Sequence, residues 1–405
     1  MIPRSIMKVN KKPYEIDNNY NRFPVTRQAL VSLDLEDENN PVYNSFMKKM
    51  DRKMIENIKK ERKGYSQKDY AFDFAVNSLN IILAQYGKPN QNFLKWESNY
   101  NLPNNIFEKA DLDKAVLTDL IKKKSEYFGA DLVGITSLNK NWIYEKNLKK
   151  PFVIKDCDKS FESSNEFVIS KKIKNAIVLA FAMNAQLKED SPNINASAAS
   201  SIGYSRAAIT VVAISEYIRA LGYQAIPCVN DTALSIPLAI DGGLGQLGRN
   251  GILITPEYGP SVRLAKVLTD MPLDHDYPID FGITEFCSNC LLCAEKCPSQ
   301  SISYEKPTFE PTCENNNVGV KKWYINGINC LKFWQENGGS CSTCISVCPF
   351  TKGFEAHQCI ECVKCETRNG CELQVNTHNR QKYGYLKIEK WGYKPNVLYP
   401  RRKGL

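Results

Sequence analysis

The sequence predicts a mixed helix-and-strand sheet domain followed by a small cysteine-rich domain, and three observations support this. The 15 cysteines of the 405-residue chain are segregated, with only Cys157 and Cys228 before position 287 and thirteen between positions 287 and 371. From residue 111 onward, apolar segments of strand length alternate with segments of helical period, which predicts an α/β or α+β sheet domain. The chain is long and 43% hydrophobic, so it can build a core without the disulfide staples of short secreted chains.

The elements follow in order. Residues 1–40 are polar with little periodicity and read as a segment that wraps a surface. Residues 42–63 and 68–86 have helical spacing, the second with Ala71, Phe74, Leu79 and Ile82 as its core face. Residues 88–107 are rich in Asn and Pro and read as loop. Helix is expected over 111–128, strands over 130–136 and 176–183, and a long helix over 198–221 that Gly222 ends. A strand at 224–229, a helix opening near Asp231, and strands at 252–255 and 262–268 complete the sheet domain. The glycines of GGLGQLGRNG, residues 242–251, fit neither the dinucleotide fingerprint nor the P-loop, so no nucleotide phosphate site is expected. The expected organisation is therefore a wrapping and helical region over 1–110, a sheet domain over 111–275, a cysteine domain over 276–352 and an extension over 353–405.

Much of the formal net charge of +9 is local, because Lys48, Lys49, Arg52, Lys53, Lys59, Lys60, Arg62 and Lys63 lie on one expected helix. A solvated helix face accounts for that run, and no nucleic-acid partner is expected. A basic surface also suits docking of an acidic electron donor. No apolar run approaches the roughly 18 residues of a spanning helix; the longest, 207–218, is interrupted by Ser215 and Glu216. Arg4 is not followed by a second arginine or an apolar stretch, so a cytoplasmic location is expected of the sequence as written.

Cysteine spacing carries the chemistry. Cys287, Cys290, Cys293 and Cys297 read C-x2-C-x2-C-x3-C with Pro298 after them, the bacterial ferredoxin run for [4Fe–4S] clusters. In that run the fourth cysteine serves the other cluster. A second run, Cys341, Cys344 and Cys348 followed by Pro349, lacks a cysteine at its front, and Cys330 upstream can supply it. The exchange predicts one cluster on Cys287, Cys290, Cys293 and Cys348, and a second on Cys297, Cys330, Cys341 and Cys344. Structural zinc more often shows two separated C-x2-C pairs. Two cubanes form a wire, and the large domain ahead of them should hold its terminal acceptor.

The stretch GLGQLGRNGILITPEYGPSVRLAKVLTDMPL (residues 243–273), IGYSRAA around Tyr204, the paired cluster motifs and the CPF ending at Phe350 together resemble the reductive dehalogenases. EIDNNYNRFP, residues 15–24, resembles the start of the mature enzymes. The resemblance covers roughly residues 12–355 and is most specific from about 200 to 350. The epoxyqueuosine reductases, which share a corrinoid and two clusters, are a second and more distant likeness, since they lack the ITPEYGP and VRLAKV run. An electron carrier with an inert partner domain is the alternative from another class.

The resemblance implies a nitroreductase-like corrinoid domain followed by a ferredoxin-like domain. It also implies a corrinoid bound base-off, and His275, His357 and His378 indeed do not form the D-x-H-x-x-G that delivers a histidine to cobalt. The implied reaction replaces halogen by hydrogen on a small organohalide, with electrons arriving from a low-potential donor such as a ferredoxin, a flavodoxin or a membrane quinol chain. Family members are often exported and membrane-associated. By resemblance Tyr204 is the proton donor, Arg263 its charge partner and Asn230 the group that hydrogen-bonds its oxygen. A free tyrosine, with a pKa of about 10, is a weak acid unless an opposite charge stabilises its anion. The ordinary readings are amphipathic packing for Tyr204, a helix cap for Asn230 and an edge charge for Arg263. Gly245, Gln246, Arg249, Tyr258, Gly259 and Ser261 are expected corrinoid contacts, and Trp334 lines the substrate cavity or covers a cluster.

Beyond Phe350 lie Cys359, Cys362, Cys365 and Cys371, spaced C-x2-C-x2-C-x5-C. The usual family tail has no such run. Its first three cysteines have cubane spacing; a third cluster, a zinc ion, and free or disulfide-bonded cysteines are the three readings, with Cys313 as a substitute ligand.

Overall fold

In the N-terminal region, apolar residues at helical spacing form α1 (Pro41–Lys59) and α2 (Gln67–Ala84). The computed structural model describes residues 6–29, 41–84, 94–98 and 109–352. The chain divides into two compact units, residues 1–358 and 359–405, and the second lies outside the described residues. Tyr70, not the expected Ala71 and Phe74, faces the core from α2: it is 3% exposed, whereas Phe74 is 53% exposed and Ala71 is also exposed. The basic run of α1 is largely solvated, and Glu56 pairs with both Lys53 (3.2 Å) and Lys60 (2.6 Å).

The sheet domain begins with α3 (Lys114–Tyr127) and β1 (Leu132–Ser137). A small sheet of β2 (Phe152–Lys155), β3 (Phe161–Glu162) and β4 (Phe167–Ser170), in the order β2-β4-β3, was not expected from the sequence. Then come β5 (Asn175–Ala182), α4 (Ala185–Glu189), α5 (Ile194–Ala220), β6 (Ala225–Cys228), α6 (Ser235–Asp241) and β7 (Val262–Thr269). The main sheet has the order β1-β5-β7-β6, and every neighbouring pair is antiparallel. That settles the fold class as α+β, since an α/β sheet would need parallel strands joined by crossovers.

Both faces of the sheet are buried, as period-two alternation allows. Ile177, Leu179 and Phe181 of β5 and Ala265 and Val267 of β7 pack against Ala207, Val211, Ile214 and Ile218 of α5 and against Leu117 and Ile121 of α3. Ala176, Val178 and Ala180, with Val262, Leu264 and Leu268, face Leu238 and Ala239 of α6. Helix α5 starts four residues before the expected 198, because the Asn193 side chain caps it by accepting from the Ala196 amide (3.2 Å). Helix α6 opens at Ser235 rather than near Asp231, and its N-cap Leu234 makes no side-chain bond.

The cysteine region carries four short helices, α7 (Ile283–Asn289), α8 (Leu292–Glu295), α9 (Gly327–Asn337) and α10 (Thr343–Ser346). The N-terminal segment laces it to the sheet domain. Asp17 donates its amide to the Gly319 carbonyl (2.9 Å), and the Lys321 amide donates to the Glu15 carbonyl (3.0 Å). The same segment reaches buried Asp241, which accepts from Lys12 Nζ (2.6 Å), the Tyr14 hydroxyl (2.5 Å) and Trp142 Nε1 (3.2 Å). Among the described residues, no helix is long and apolar enough to cross a membrane.

Candidate functional site

Tyr204 and Arg263 meet where α5 crosses β7. The crossing is close because residue 203 is glycine: a Cβ there would lie 2.8 Å from Arg263 Cγ. The guanidinium carbon sits 5.4 Å from the Tyr204 ring centroid, a cation–π distance. Arg263 Nη2 donates to Ser200 Oγ (2.6 Å), while its buried Nε has no partner. Tyr204 is half-buried, and its hydroxyl has no hydrogen-bond partner among the described residues. Ser200 was not singled out from the sequence, although it lies one turn before Tyr204 on the same helix face, the i, i+4 position.

Lys188, also missed, enters from α4. It is 2% exposed, and its ammonium donates to Ser261 Oγ. The Met183 amide bonds the Ser261 carbonyl (2.9 Å), which extends the β5–β7 ladder by one residue. Ser261 and Arg263, two apart on an extended strand, therefore share a face. Burial pushes the Lys188 ammonium down to about 8, and the Arg263 charge pushes the same way.

Asn230 is exposed and forms no hydrogen bond with Tyr204 or any helix cap. Its neighbour Asp231 is partly buried, and desolvation pushes the carboxyl up to about 6 against the charge of Lys266. Lys266, fully buried, holds the turn from below by donating to the Val229 carbonyl (2.7 Å) and Ser235 Oγ (3.0 Å).

The eight expected cluster cysteines lie near one another. Burial pushes the Cys348 thiol well above its ordinary range, and its electrostatic neighbours are Cys287, Cys293 and Cys290. Burial likewise raises Cys330 to about 11, with Cys341 and Cys297 as neighbours. Cys344 is raised by burial and faces Cys341, Cys293, Cys330 and Cys297. Cys348 thus has cysteines of the first run as its neighbours, and Cys297 neighbours Cys330 and Cys344, while Cys344 also lies near Cys293 of the first run. Among the described residues no three His, Cys, Asp or Glu side chains are arranged for a single metal ion; a cubane's iron–sulfide core holds its thiolates further apart than one ion does. Cys359, Cys362, Cys365 and Cys371 lie outside the described residues, as do His357 and His378.

No protein-family model matches the chain. It is 35% identical over 368 residues to the tetrachloroethene reductive dehalogenase of Sulfurospirillum multivorans, covering 84% of this chain and 72% of that enzyme. The chain belongs to the reductive dehalogenases. It is therefore an oxidoreductase of a family acting on carbon–halogen bonds. A tetrachloroethene reductive dehalogenase of Desulfitobacterium hafniense is 36% identical over 268 residues, 59% of this chain and 49% of that protein. Among solved structures, the catabolic reductive dehalogenase NpRdhA matches with a TM-score of 0.65 and 19% identity, over 93% of this chain and 49% of that one. The chain thus spans about half the length of the latter two.

Within this reductive dehalogenase fold, several residues expected at the corrinoid are occupied elsewhere. Arg249, 1% exposed, donates to the carbonyls of Cys287 (2.9 Å), Cys290 (3.2 Å), Ser303 (2.7 Å) and Glu305 (2.9 Å), and its guanidinium lies 5.0 Å from the Trp323 ring. It clamps the first cysteine loop. Gln246 Oε1 accepts from the amides of Phe281 (2.9 Å) and Ile283 (3.4 Å), at the start of α7. A side chain at Gly245 would strike the Ile254 carbonyl at 2.1 Å. Gly259, at φ +55°, backs onto the Phe350 carbonyl, where a Cβ would lie 2.2 Å away. Gln246, Arg249 and Gly259 dock the sheet domain to the cysteine region, whereas Gly245 lets the 246–254 hairpin close within the sheet domain. Tyr258 is half-buried at the turn before β7, and Ser261 bonds Lys188. The Trp334 indole N–H, one turn after Cys330, is buried with no hydrogen-bond partner among the described residues.

Proposed function

We propose that this chain is a corrinoid-dependent reductive dehalogenase that replaces halogen by hydrogen on a small organohalide. The carrying observation is the Tyr204–Arg263 pair, in which the Tyr204 hydroxyl and the buried Arg263 Nε have no partner among the described residues and are free to meet a substrate. The balanced step takes R–X, two electrons and one proton to R–H and X⁻. The corrinoid, when bound, supplies the low-potential metal chemistry that breaks the carbon–halogen bond. Tyr204 holds the proton and donates it from its hydroxyl oxygen. Arg263, fixed by Ser200, stays charged in a closed site and stabilises the phenolate that remains. Asn230 lies in the turn that Lys266 anchors through the Val229 carbonyl.

Two sets of four thiols suit two [4Fe–4S] clusters: Cys287, Cys290, Cys293 and Cys348, and Cys297, Cys330, Cys341 and Cys344. They would conduct single electrons from a low-potential donor. Binding of the corrinoid base-off is consistent with a sequence lacking a D-x-H-x-x-G histidine.

The test is turnover of tetrachloroethene, named for two of the relatives, by protein loaded with both cofactors. Tyr204→Phe should keep iron and cobalt and lose about 10²–10⁴-fold in halide release, the usual worth of general acid assistance. A variant within about threefold of the parent would rule Tyr204 out as sole proton donor.

A further inference from the structure

We infer that Lys188, Ser261 and Arg263 form a binding site for the halide that the reaction releases; the identity of the anion rests on the dehalogenase reading. Lys188 is 2% exposed, and Arg263 keeps a buried Nε with no partner. Buried charges are ordinarily paired, yet among the described residues neither of these forms an ion pair. Their side-chain bonds go to two hydroxyls, Lys188 to Ser261 and Arg263 to Ser200. The acid nearest in sequence, Glu189, is exposed and acts on Lys188 only through its charge. Two cations on one side of β7 therefore repel each other with nothing negative between them.

The hydroxyl of Ser261 sharpens the case. It accepts from Lys188, so its own proton is left to donate. Lys188 Nζ from α4 then joins Ser261 O–H and Arg263 Nε, on one strand face, as a third donor. Enclosure favours a small anion that sheds its water cheaply over a carboxylate or a phosphate. The carbon–halogen bond breaks beside Arg263, so the halide is formed at the mouth of this site. Holding it there takes negative charge away from the reacting carbon.

The experiment measures chloride line broadening by chlorine NMR on the cofactor-loaded protein, with bromide as competitor. The parent should broaden the signal and bromide should reverse it. Lys188→Gln should weaken chloride at least about tenfold, as loss of one partner of a buried charge contact does. Lys188→Arg should restore most of it. Ser261→Ala, which removes only a hydroxyl, carries the test if Lys188→Gln does not fold. Unchanged chloride binding in both variants overturns the inference. So does chloride bound by corrinoid-free protein but not by loaded protein, because the cofactor's own phosphate would then fill the site. Dehalogenation by a protein that fails these tests spares the function and overturns the inference. A chloride site at Lys188 in a protein that turns over no organohalide supports the anion site and overturns the function.

Discussion

Lys188 shows how a single residue can carry a cost to stability. Its ammonium is buried without an acidic partner among the described residues, and desolvation, with Arg263 beside it, lowers its pKa to about 8. A lysine whose folded value lies below its unfolded value of about 10.4 favours folding most above the unfolded value. That contribution is lost as pH falls through the folded one. In halide-free buffer, Lys188→Met should therefore unfold at a higher temperature than the parent at pH 7. The gap should shrink as pH rises from about 8 toward 10.4. Melting curves by circular dichroism across that range check it, and a gap that widens with pH would contradict the buried-cation account. Tyr204 and Arg263 were legible as residues because their motifs are local. Lys188 and Ser200 were not, because each acquires its role only from the strand or helix opposite.

At the scale of elements, the site is a crossing of α5 over β7, and its closeness is set by one missing side chain. Gly203→Ala would press a methyl against Arg263 Cγ at 2.8 Å. Overpacking of this kind typically costs about 1–3 kcal/mol. The Arg263 side chain is expected to swing off Ser200 and Tyr204, lowering dehalogenation while leaving the iron–sulfur signals intact. Loss of the clusters together with activity would mean a folding defect instead. The short cysteine helices pose the converse question, which thiol belongs to which group. Cys297 lies in the first run but is the electrostatic neighbour of Cys330 and Cys344. Cys297→Ser should alter the cluster held by Cys330, Cys341 and Cys344, read by electron paramagnetic resonance. A change confined to the cluster of Cys287, Cys290 and Cys293 would refute the exchange.

On the scale of the whole molecule, the N-terminal segment, the sheet domain and the cysteine region form one unit, joined by Asp241, Gln246, Arg249 and Gly259. Two cubanes predict about eight irons per chain, four for each. If Cys359, Cys362, Cys365 and Cys371 hold a third, the parent should carry about twelve, and the quadruple Cys→Ser variant should return to about eight. Elemental analysis decides between this, a lost zinc ion and no change. Local spacing already determined the cluster runs, the long helix α5 and the strand that became β7, because ligand loops and amphipathic periods are written within a few turns of chain. Tertiary structure alone decided the rest. The alternation of helix and strand is the same for parallel and antiparallel sheets, so only pairing distinguished α+β from α/β. Glycines and polar residues of the 242–251 run look the same whether they meet a cofactor or another part of the chain. It took the positions of Phe281, Phe350 and the Cys287 loop to show that Gln246, Arg249 and Gly259 join two regions of the fold. The buried charges of Lys188 and Lys266 were equally hidden, because burial belongs to a residue's neighbours and not to its place in the sequence.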